Sequence, residues 1–370
     1  MKPKILFILH IPPPVHGAAM VGKYIQDSLL INSDFDTQYV NLSTSNTNKE
    51  VGKGGINKIF IFFTLIGKIL KKLFSEKFDL CYMTLTAKGY GFYKDFIIVA
   101  ILKFFGKKII YHFHNKGVKE NHHRTIDNLM YRFTFQGTQC ILLSPLLYND
   151  ISKYVRIENV DYCANGIPEI PNKSSSLKIY QKAYEPCRIL FLSNMTIEKG
   201  VIVLLDACKI LKDNNYFFEC NFVGDWVNIS KEYFNDYVSK NDLSSCVVAY
   251  GKKYNEEKNE FFRSADIFVF PTFYHNECFP LVLLEAMQFN LPVISTNEGG
   301  IADIISDGKT GFIVPKNNPS KLADKLGLLI NNNNLIMQMG VEGNNKFHDL
   351  FTLEQFEKKF VLILKDAIKQ

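Results

Sequence analysis

Residues 266–296 read DIFVFPTFYHNECFPLVLLEAMQFNLPVIST, in which two short apolar runs flank a polar loop and a helix-like segment. The runs at 266–271 and 291–296 have the length of buried strands. Pro280 suits the first turn of a helix, where a missing N–H costs little. The stretch therefore predicts strand, loop, helix and strand in succession, the unit from which parallel sheets covered by helices are built.

The same alternation of strand-like runs and longer amphipathic segments extends along the whole chain. In the first half, we predict strands at 4–11, 37–42, 79–85, 107–114 and 139–144. In the second half, three more strands precede the two already named, at 188–193, 218–224 and 246–251. After GFIVP at 311–315 the sequence is typical of helix, and the last helix has Thr352 as its N-cap. The predicted fold class is α/β, with two doubly wound Rossmann-like sheets.

The boundary between the two sheets is predicted in a turn-rich stretch, NGIPEIPNKSSSLK at 165–178. Its Asn, Gly, Pro and Ser residues are typical of an exposed linker, and 370 residues exceed what one α/β core usually holds. We predict an N-terminal Rossmann-like domain at 1–165, a linker at 166–186 and a C-terminal Rossmann-like domain at 187–350. A terminal helix at 351–370 is expected to pack back on the N-terminal domain.

Composition is typical of a folded protein that works inside the cell. A hydrophobic content of 47% and a charged content of 22% exclude a disordered or fibrous chain. Eight cysteines stand singly, without a C-x-x-C pair, and are interpreted as reduced thiols. We find no secretory signal and no apolar run of the length needed to cross a bilayer. The expectation is a cytoplasmic protein without a nucleic-acid partner.

Two glutamates, Glu277 and Glu285, flank seven residues of the opening segment. Between them, the amides of Phe279 and Leu281 would stand at a helix N-terminus, where unpaired N–H groups and the helix dipole favour a diphosphate. Taken alone, two such carboxylates are more often solvated surface charges than a site. The spacing therefore predicts an anion site only when its context supports one.

The context is a resemblance to a known family. The segment resembles the E-x7-E element of family 4 glycosyltransferases of the GT-B fold, and VISTNEGGIADIISDGKTGFIV at 293–314 follows in the expected order. The resemblance implies two Rossmann-like domains facing across a cleft, and retaining transfer of a hexosyl group from a nucleotide-diphosphate donor, with a UDP-sugar favoured. It implies a glycan or lipid-linked acceptor, in bacterial surface polysaccharide assembly, and neither a cofactor nor a metal.

The same resemblance assigns roles to the residues of the element. Glu285 is implied to bind the ribose hydroxyls and Glu277 to contact the donor sugar, while the loop at Phe279, Pro280 and Leu281 holds sugar and phosphate. A carboxylate can accept two hydroxyl hydrogen bonds at once, so the role of Glu285 is physically sound. For Glu277, a surface role is the alternative.

A second matching block, FLSNMTIEKG at 191–200, follows the first strand of the second half. By the resemblance, Lys199 neutralises charge on the departing diphosphate, which is the contribution that a site without a metal most needs. Asn194 stands where the family usually has an Arg, so fewer cations are available for the donor phosphates. A solvated first-turn lysine is the alternative interpretation of Lys199.

Three further positions match by the same resemblance. Gly17 belongs to the loop after the first strand, where Ala18 replaces the family's second glycine, and Gly251 lies in the turn that contacts the base edge. His114 is implied to contact the reacting sugar, and we favour it over His112 because it is nearer the carboxyl end of its strand. A buried structural histidine is the alternative.

The sequence offers no strong candidate for a metal site. The only Asp-x-Asp, Asp34-Phe35-Asp36, lies in a polar turn and is interpreted as solvated, and no His, Cys and Asp cluster has the spacing of metal ligands.

An epimerase or a phosphorylase on the same architecture is the alternative enzyme, since a fold does not fix a reaction. A weakly active sugar-nucleotide-binding subunit is the other alternative, for which Asn194 and Ala18 are the best arguments.

Residues 58–74 form a basic amphipathic segment. Four lysines fall on one side of its helical projection, at positions 58, 68, 71 and 72. Ile61 and Leu65 place apolar bulk among these lysines, which suits an anionic bilayer surface. An ordinary covering helix with a solvated lysine face explains the pattern equally well. The first interpretation predicts peripheral docking of the protein near a lipid-linked acceptor.

Overall fold

The computed structural model describes residues 2–43, 56–170 and 185–369, with the side chains of 56–58 excepted. The chain divides into two compact units, Met1–Gly166 together with Leu353–Gln370, and Ile167–Thr352. Each unit is built on its own six-stranded sheet, in which all neighbouring strands are parallel. Most of the predicted linker, residues 171–184, lies outside the described residues.

The first unit contains six strands: β1 Lys4–Leu9, β2 Asp36–Asn41, β3 Leu80–Thr84, β4 Ile109–Phe113, β5 Gln139–Leu142 and β6 Val160–Tyr162. Its helices before the last strand are α1 Gly17–Asp27, α2 Leu29–Asp34, α3 Ile56–Ser75, α4 Gly89–Phe104, α5 Val118–Asn121 and α6 Thr125–Phe135. The strand order is β2-β1-β3-β4-β5-β6. Right-handed crossovers therefore place α3, α4 and α6 on one face of the sheet, and α1 and α2 on the other.

The second unit contains β7 Cys187–Leu192, β8 Phe218–Val223, β9 Val247–Ala249, β10 Ile267–Phe270, β11 Val293–Thr296 and β12 Gly311–Val314. Its helices are α7 Val201–Asp213, α8 Lys231–Lys240, α9 Asn255–Ser264, α10 Leu281–Gln288, α11 Ile301–Ile304, α12 Pro319–Ile330 and α13 Asn333–Leu350. The strand order β12-β11-β10-β7-β8-β9 reverses between β7 and β10. Ligands of open α/β sheets bind at the carboxyl ends of the strands beside such a switch point.

The last helix, α14 Leu353–Lys369, belongs to the first unit. The ring of Phe360 lies 5.3 Å from that of Tyr82 on β3 and 6.1 Å from the imidazole of His112 on β4, measured between centroids. Lys365 Nζ forms an ion pair with Asp34 at the end of α2, at 2.9 Å. The helix thus packs on the face of the sheet that also carries α1 and α2.

The structure confirms the predicted fold class, with one strand more in each unit than the sequence predicts. β6 is short and half-buried, and its sequence, Val-Asp-Tyr, has no apolar run to reveal it. β12 pairs with β11 through Gly311, where φ is 154° and a Cβ would overlap Val293 O. Glycine there allows the two backbones to approach closely.

Candidate functional site

The loop after β10 is held beside the turn after β7. Phe273 N donates to Glu198 O at 2.8 Å. Gly200 ends the 3₁₀ turn Ile197–Lys199 in the left-handed region, with φ at 86°, and a Cβ there would overlap Pro271 O. Glycine is therefore required for the two segments to meet at the switch point of the sheet.

Lys199 and Glu277 meet where these segments come together. Lys199 Nζ donates to Glu277 Oε2 and lies 4.6 Å from the centroid of the Tyr274 ring and 5.4 Å from that of Phe270. The side chains of Lys199 and Glu277 are 20% and 12% exposed. The ammonium group is thus bounded by one carboxylate and two aromatic faces, and it remains accessible to a ligand. Tyr274 is a contact that the sequence analysis did not identify.

The backbone at Glu277 and Cys278 is in contact with the glycine pair Gly299 and Gly300, which belongs to the matching segment 293–314. Glu277 N donates to Tyr274 O at 2.8 Å, and Gly300 N donates to Cys278 O at 2.7 Å. Gly299 has a φ of 58°, and a Cβ there would overlap Glu277 O. The two sequence segments that carry the family resemblance are therefore in direct contact.

The helix that carries Glu285 begins one residue later than expected. α10 starts at Leu281, so Pro280 is its N-cap and not a residue of its first turn. No side chain caps this helix, which leaves the first-turn amides to other partners. Phe279 precedes the N-cap, and its ring is buried against Phe351 with 5.7 Å between centroids. The backbone N–H of Phe279 therefore lies before the helix, whereas the backbone N–H of Leu281 is in its first turn.

Glu285 is paired with a lysine that the sequence analysis did not identify. Lys258 Nζ, on α9, donates to Glu285 Oε1 at 2.7 Å. The two side chains are 26% and 23% exposed. No spacing rule connects residue 258 with residue 285, because the pair is made by the packing of two helices that follow different strands.

Asn194 and Gly251 lie at the carboxyl ends of β7 and β9, on the same edge of the sheet as Lys199. Asn194 is exposed, and its side chain has no hydrogen bond to any part of the chain that the structure describes. Gly251 has a φ of 68° and open space around its Cβ position, and its carbonyl accepts from Gly224 N at 3.0 Å. Eight of the predicted donor residues thus belong to the second unit, in the segments that follow β7, β9 and β10, and Lys258 and Tyr274 lie in the same segments.

The first unit gathers four histidines at the carboxyl ends of β1 and β4. His16 is the N-cap of α1, where its Nδ1 accepts from Ala19 N at 3.3 Å, and its ring lies 5.8 Å from that of His10. His114 follows β4, with 4.3 Å between its ring centroid and that of His112. Gly17 is the first residue of α1, with open space around its Cβ position.

These histidines are neutral at physiological pH. Burial is the main cause that lowers the pKa of His10 and of His114 to about 3, and electrostatic interaction with Lys94 at His10 and with His16 at both contributes to the same lowering. His112 is fully buried, with its Nδ1 2.8 Å from Tyr82 Oη. The Nε2 atoms of His112 and His114 are shielded from solvent without a hydrogen-bond partner among the described residues. His112 lies within β4, whereas His114 follows the last residue of that strand.

Within the described ranges, no group of three or more His, Cys, Asp or Glu side chains could hold a metal ion. The carboxylates of the Asp-x-Asp are each paired with a lysine: Asp34 with Lys365 at 2.9 Å and Asp36 with Lys4 at 3.1 Å. In the same ranges, no helix is both long enough and apolar enough to cross a bilayer.

Comparison with known proteins identifies the fold of the chain and the family that its second half resembles. Residues 172–346, a little under half of the chain, match the family model described as glycosyl transferases group 1. HepE of Anabaena, whose structure was solved in complex with UDP, superimposes with a TM-score of 0.74 at 16% identity, over 99% of this chain and 100% of HepE. At that identity the likeness shows the fold alone. The fold is GT-B, and the second unit is similar to group 1 glycosyl transferases.

Individual relatives come from polysaccharide biosynthesis. The amylovoran biosynthesis glycosyltransferase AmsK of Erwinia amylovora is 32% identical over 152 residues, which are 40% of this chain and 37% of AmsK. The capsular polysaccharide biosynthesis glycosyltransferase CapM of Staphylococcus aureus is 27% identical over 212 residues, which are 55% of this chain and 54% of CapM. The chain therefore spans about half, or less, of the length of these relatives.

Proposed function

We propose that this chain is a retaining glycosyltransferase that moves a hexosyl group from a nucleotide-diphosphate sugar, with a UDP-sugar favoured, to a glycan or lipid-linked acceptor. Surface polysaccharide assembly is the process we infer, because relatives of the chain have polysaccharide biosynthesis in their names. The observation that carries the proposal is the contact of Lys199 with Glu277 at the switch point of the second sheet. The loop of Glu277 leads directly into α10, which carries Glu285.

In the proposed reaction, the acceptor hydroxyl oxygen forms a bond to the anomeric carbon while the bond from that carbon to the diphosphate breaks. The acceptor attacks on the side of the leaving group, so the configuration is retained, and the hydroxyl proton passes to the released diphosphate. Lys199 and the first-turn amides of α10 stabilise the negative charge that develops on the diphosphate. This electrostatic support takes the place of a metal ion in the proposal.

We propose the donor roles on the basis of the same arrangement. Glu277 accepts hydrogen bonds from the donor sugar, and the backbone at Phe279, Pro280 and Leu281 surrounds sugar and phosphate. Gly251 leaves room for the base, and exposed Asn194 donates its amide to a phosphate oxygen with less charge than an Arg would supply. For the first unit, we propose that His114 contacts the sugar as a neutral hydrogen-bonding group and that the Gly17 loop contacts the ligand.

A panel of nucleotide sugars tests the donor proposal. A ligand that binds only the folded protein raises the melting temperature, and saturation at about 100 times Kd adds about 2.7 kcal/mol to stability. We expect a UDP-sugar to give the largest shift with EDTA present. Equal melting temperatures across UDP-, GDP- and ADP-sugars and the ligand-free protein would contradict it.

Product analysis with labelled donor separates the rival functions. Transfer of label to an acceptor supports the glycosyltransferase, and label in a free epimerised nucleotide sugar or a sugar phosphate identifies the epimerase or the phosphorylase. Tight nucleotide binding without turnover over a broad acceptor panel identifies the binding subunit.

We further propose that the first unit docks on the inner face of an anionic cell membrane through the layer α3, α4 and α6. Large apolar side chains stand exposed on all three helices, with Phe60 75%, Phe104 87% and Ile126 71% exposed. The exposed charged side chains of these helices, within the described residues, are all basic: Lys68, Lys71 and Arg132. The only acids on the three helices are Asp95 and Asp127, and both are buried.

Charge supports an anionic bilayer as the partner of this layer. Each basic residue near such a surface contributes about 1 kcal/mol, so three contribute about 3 kcal/mol, or roughly 100-fold in affinity. We expect co-sedimentation with vesicles containing phosphatidylglycerol and loss of most binding in Lys68→Glu/Lys71→Glu. Phe217→Ser, which changes an exposed phenylalanine of the second unit, is the control. Equal recovery with neutral and anionic vesicles, or no binding at all, would contradict docking.

A further inference from the structure

The lysine paired with Glu285 changes what that glutamate can offer a ligand. Among the described residues, the ion pair at 2.7 Å is the one hydrogen bond of either side chain. A free carboxylate accepts hydrogen bonds through both oxygens, and in Glu285 one of them, Oε1, already accepts from Lys258. Oε2 is the oxygen that has no partner among the described residues.

The ammonium group of Lys258 adds hydrogen-bond donors beside the carboxylate of Glu285. It has three N–H donors and no acceptor, and it uses one donor on Glu285. The pair therefore presents one unpartnered acceptor oxygen and two unused N–H donors side by side. A vicinal diol is the chemical group that complements such a surface, because one of its hydroxyls can donate while the other accepts.

We propose that Lys258 and Glu285 together bind the ribose diol of the nucleotide, with one hydroxyl donating to Glu285 Oε2 and the other accepting from Lys258 Nζ. The inference rests on the proposed donor function of this site. It replaces the expectation that Glu285 alone accepts from both hydroxyls. Lys258 becomes a specificity-determining residue that favours ribose over deoxyribose nucleotides.

Two properties of the pair favour a ligand over a purely structural tie between α9 and α10. Both side chains remain about a quarter exposed, at 26% and 23%, so a ligand can reach them. The pair is also neutral as a whole, and it therefore adds no net repulsion to a diphosphate bound nearby. An ion pair this exposed adds little to stability, which is a weak reason for its presence.

The test compares Lys258→Met with wild type in calorimetric titrations. UDP, GDP and ADP are titrated first, and the one that binds is then compared with its 2′-deoxy and 3′-deoxy forms. Lys258→Met should weaken the parent nucleotide about 10- to 100-fold, as expected for a lost hydrogen bond from a charged group. For one deoxy form, the loss should shrink to less than about twofold, because the hydroxyl that Lys258 contacts is already missing.

Two further variants keep the result interpretable. Lys258→Arg retains a charged donor and should recover part of the affinity. Arg263→Met changes a cation on the same helix that pairs with Glu256 and Glu260 of that helix, and it should bind like wild type. Melting temperatures of all variants show that each is folded.

The outcomes distinguish this inference from the function on which it rests. Unchanged affinity in Lys258→Met, or an equal loss for the parent and both deoxy forms, would overturn the role of Lys258 and leave nucleotide binding standing. A wild-type protein that binds none of the three nucleoside diphosphates would overturn the proposed donor function itself, and the role of Lys258 with it.

Discussion

Lys199→Met removes the cation that pairs with Glu277, and we expect it to slow transfer without unfolding the protein. The anomeric C–O bond breaks in the transition state, and roughly half a unit of charge or more gathers on the diphosphate. For a unit charge about 4 Å away, an effective dielectric constant of about 20 gives about 4 kcal/mol. Half a unit to a full unit of charge therefore corresponds to about 2–4 kcal/mol, or about 30- to 1,000-fold in kcat. This dielectric constant suits an ammonium group whose side chain is 20% exposed.

The assay is steady-state transfer with purified protein, with kcat and KM for the donor measured separately. The loss should fall mainly on kcat, because the charge opposed by Lys199 grows as the bond breaks. Lys199→Arg keeps the charge and should lose less. Glu277→Gln combined with Lys199→Met should lose less than the sum of the two single losses, since the two side chains are in contact. A kcat within about threefold of wild type for Lys199→Met would refute the reasoning.

Three other perturbations test separate parts of the structure. Glu277→Ala should cut transfer by orders of magnitude with the fold intact, and near-normal turnover would remove Glu277 from the site. Gly299→Ala forces a Cβ onto Glu277 O, whereas Gly308→Ala meets only the strain of its φ of 74°. In urea unfolding, Gly299→Ala should therefore be about 1–3 kcal/mol more destabilising than Gly308→Ala. Equal losses in the two variants would contradict the overlap at Gly299. His10 and His114 have a folded pKa of about 3, below the ordinary 6.5, so the unfolded chain binds more protons as pH falls below 6.5. As the pH is lowered from 6.5, the free energy of unfolding should therefore fall, with a slope that approaches about 1.4 kcal/mol per pH unit for each histidine near pH 5. His10→Asn should remove one such contribution, and an unchanged slope would contradict the burial of His10.

The central strands were predictable because they are buried on both faces and produce continuous apolar runs. β1 is an example, with Ile5 to Leu9 fully buried. β6 escaped prediction because an edge strand needs no such run, and its three residues are all half-buried. The strand β12 begins with Gly311, which weakens the local strand signal, although the backbone requires glycine there.

The candidate site was predictable where one segment of sequence carries both the loop and its residues. Glu277 and Glu285 lie in one such segment, and Lys199 lies in a second that matches the same family. Lys258 and Tyr274 were not predictable, because their contacts arise from tertiary packing that no spacing along the chain encodes. Pro280 was misplaced by one residue, since a sequence pattern does not fix the end of a helix to a single residue.

The central claim is that this chain transfers a sugar with retention from a nucleotide diphosphate. The most direct measurement incubates the purified protein with an isotopically labelled UDP-α-sugar, EDTA and a panel of glycan and lipid-linked acceptors, and follows the anomeric proton of the product by NMR. We expect an α-linked product that is absent with Glu277→Ala. A β-linked product, or labelled product formed equally by wild type and Glu277→Ala, would contradict the account.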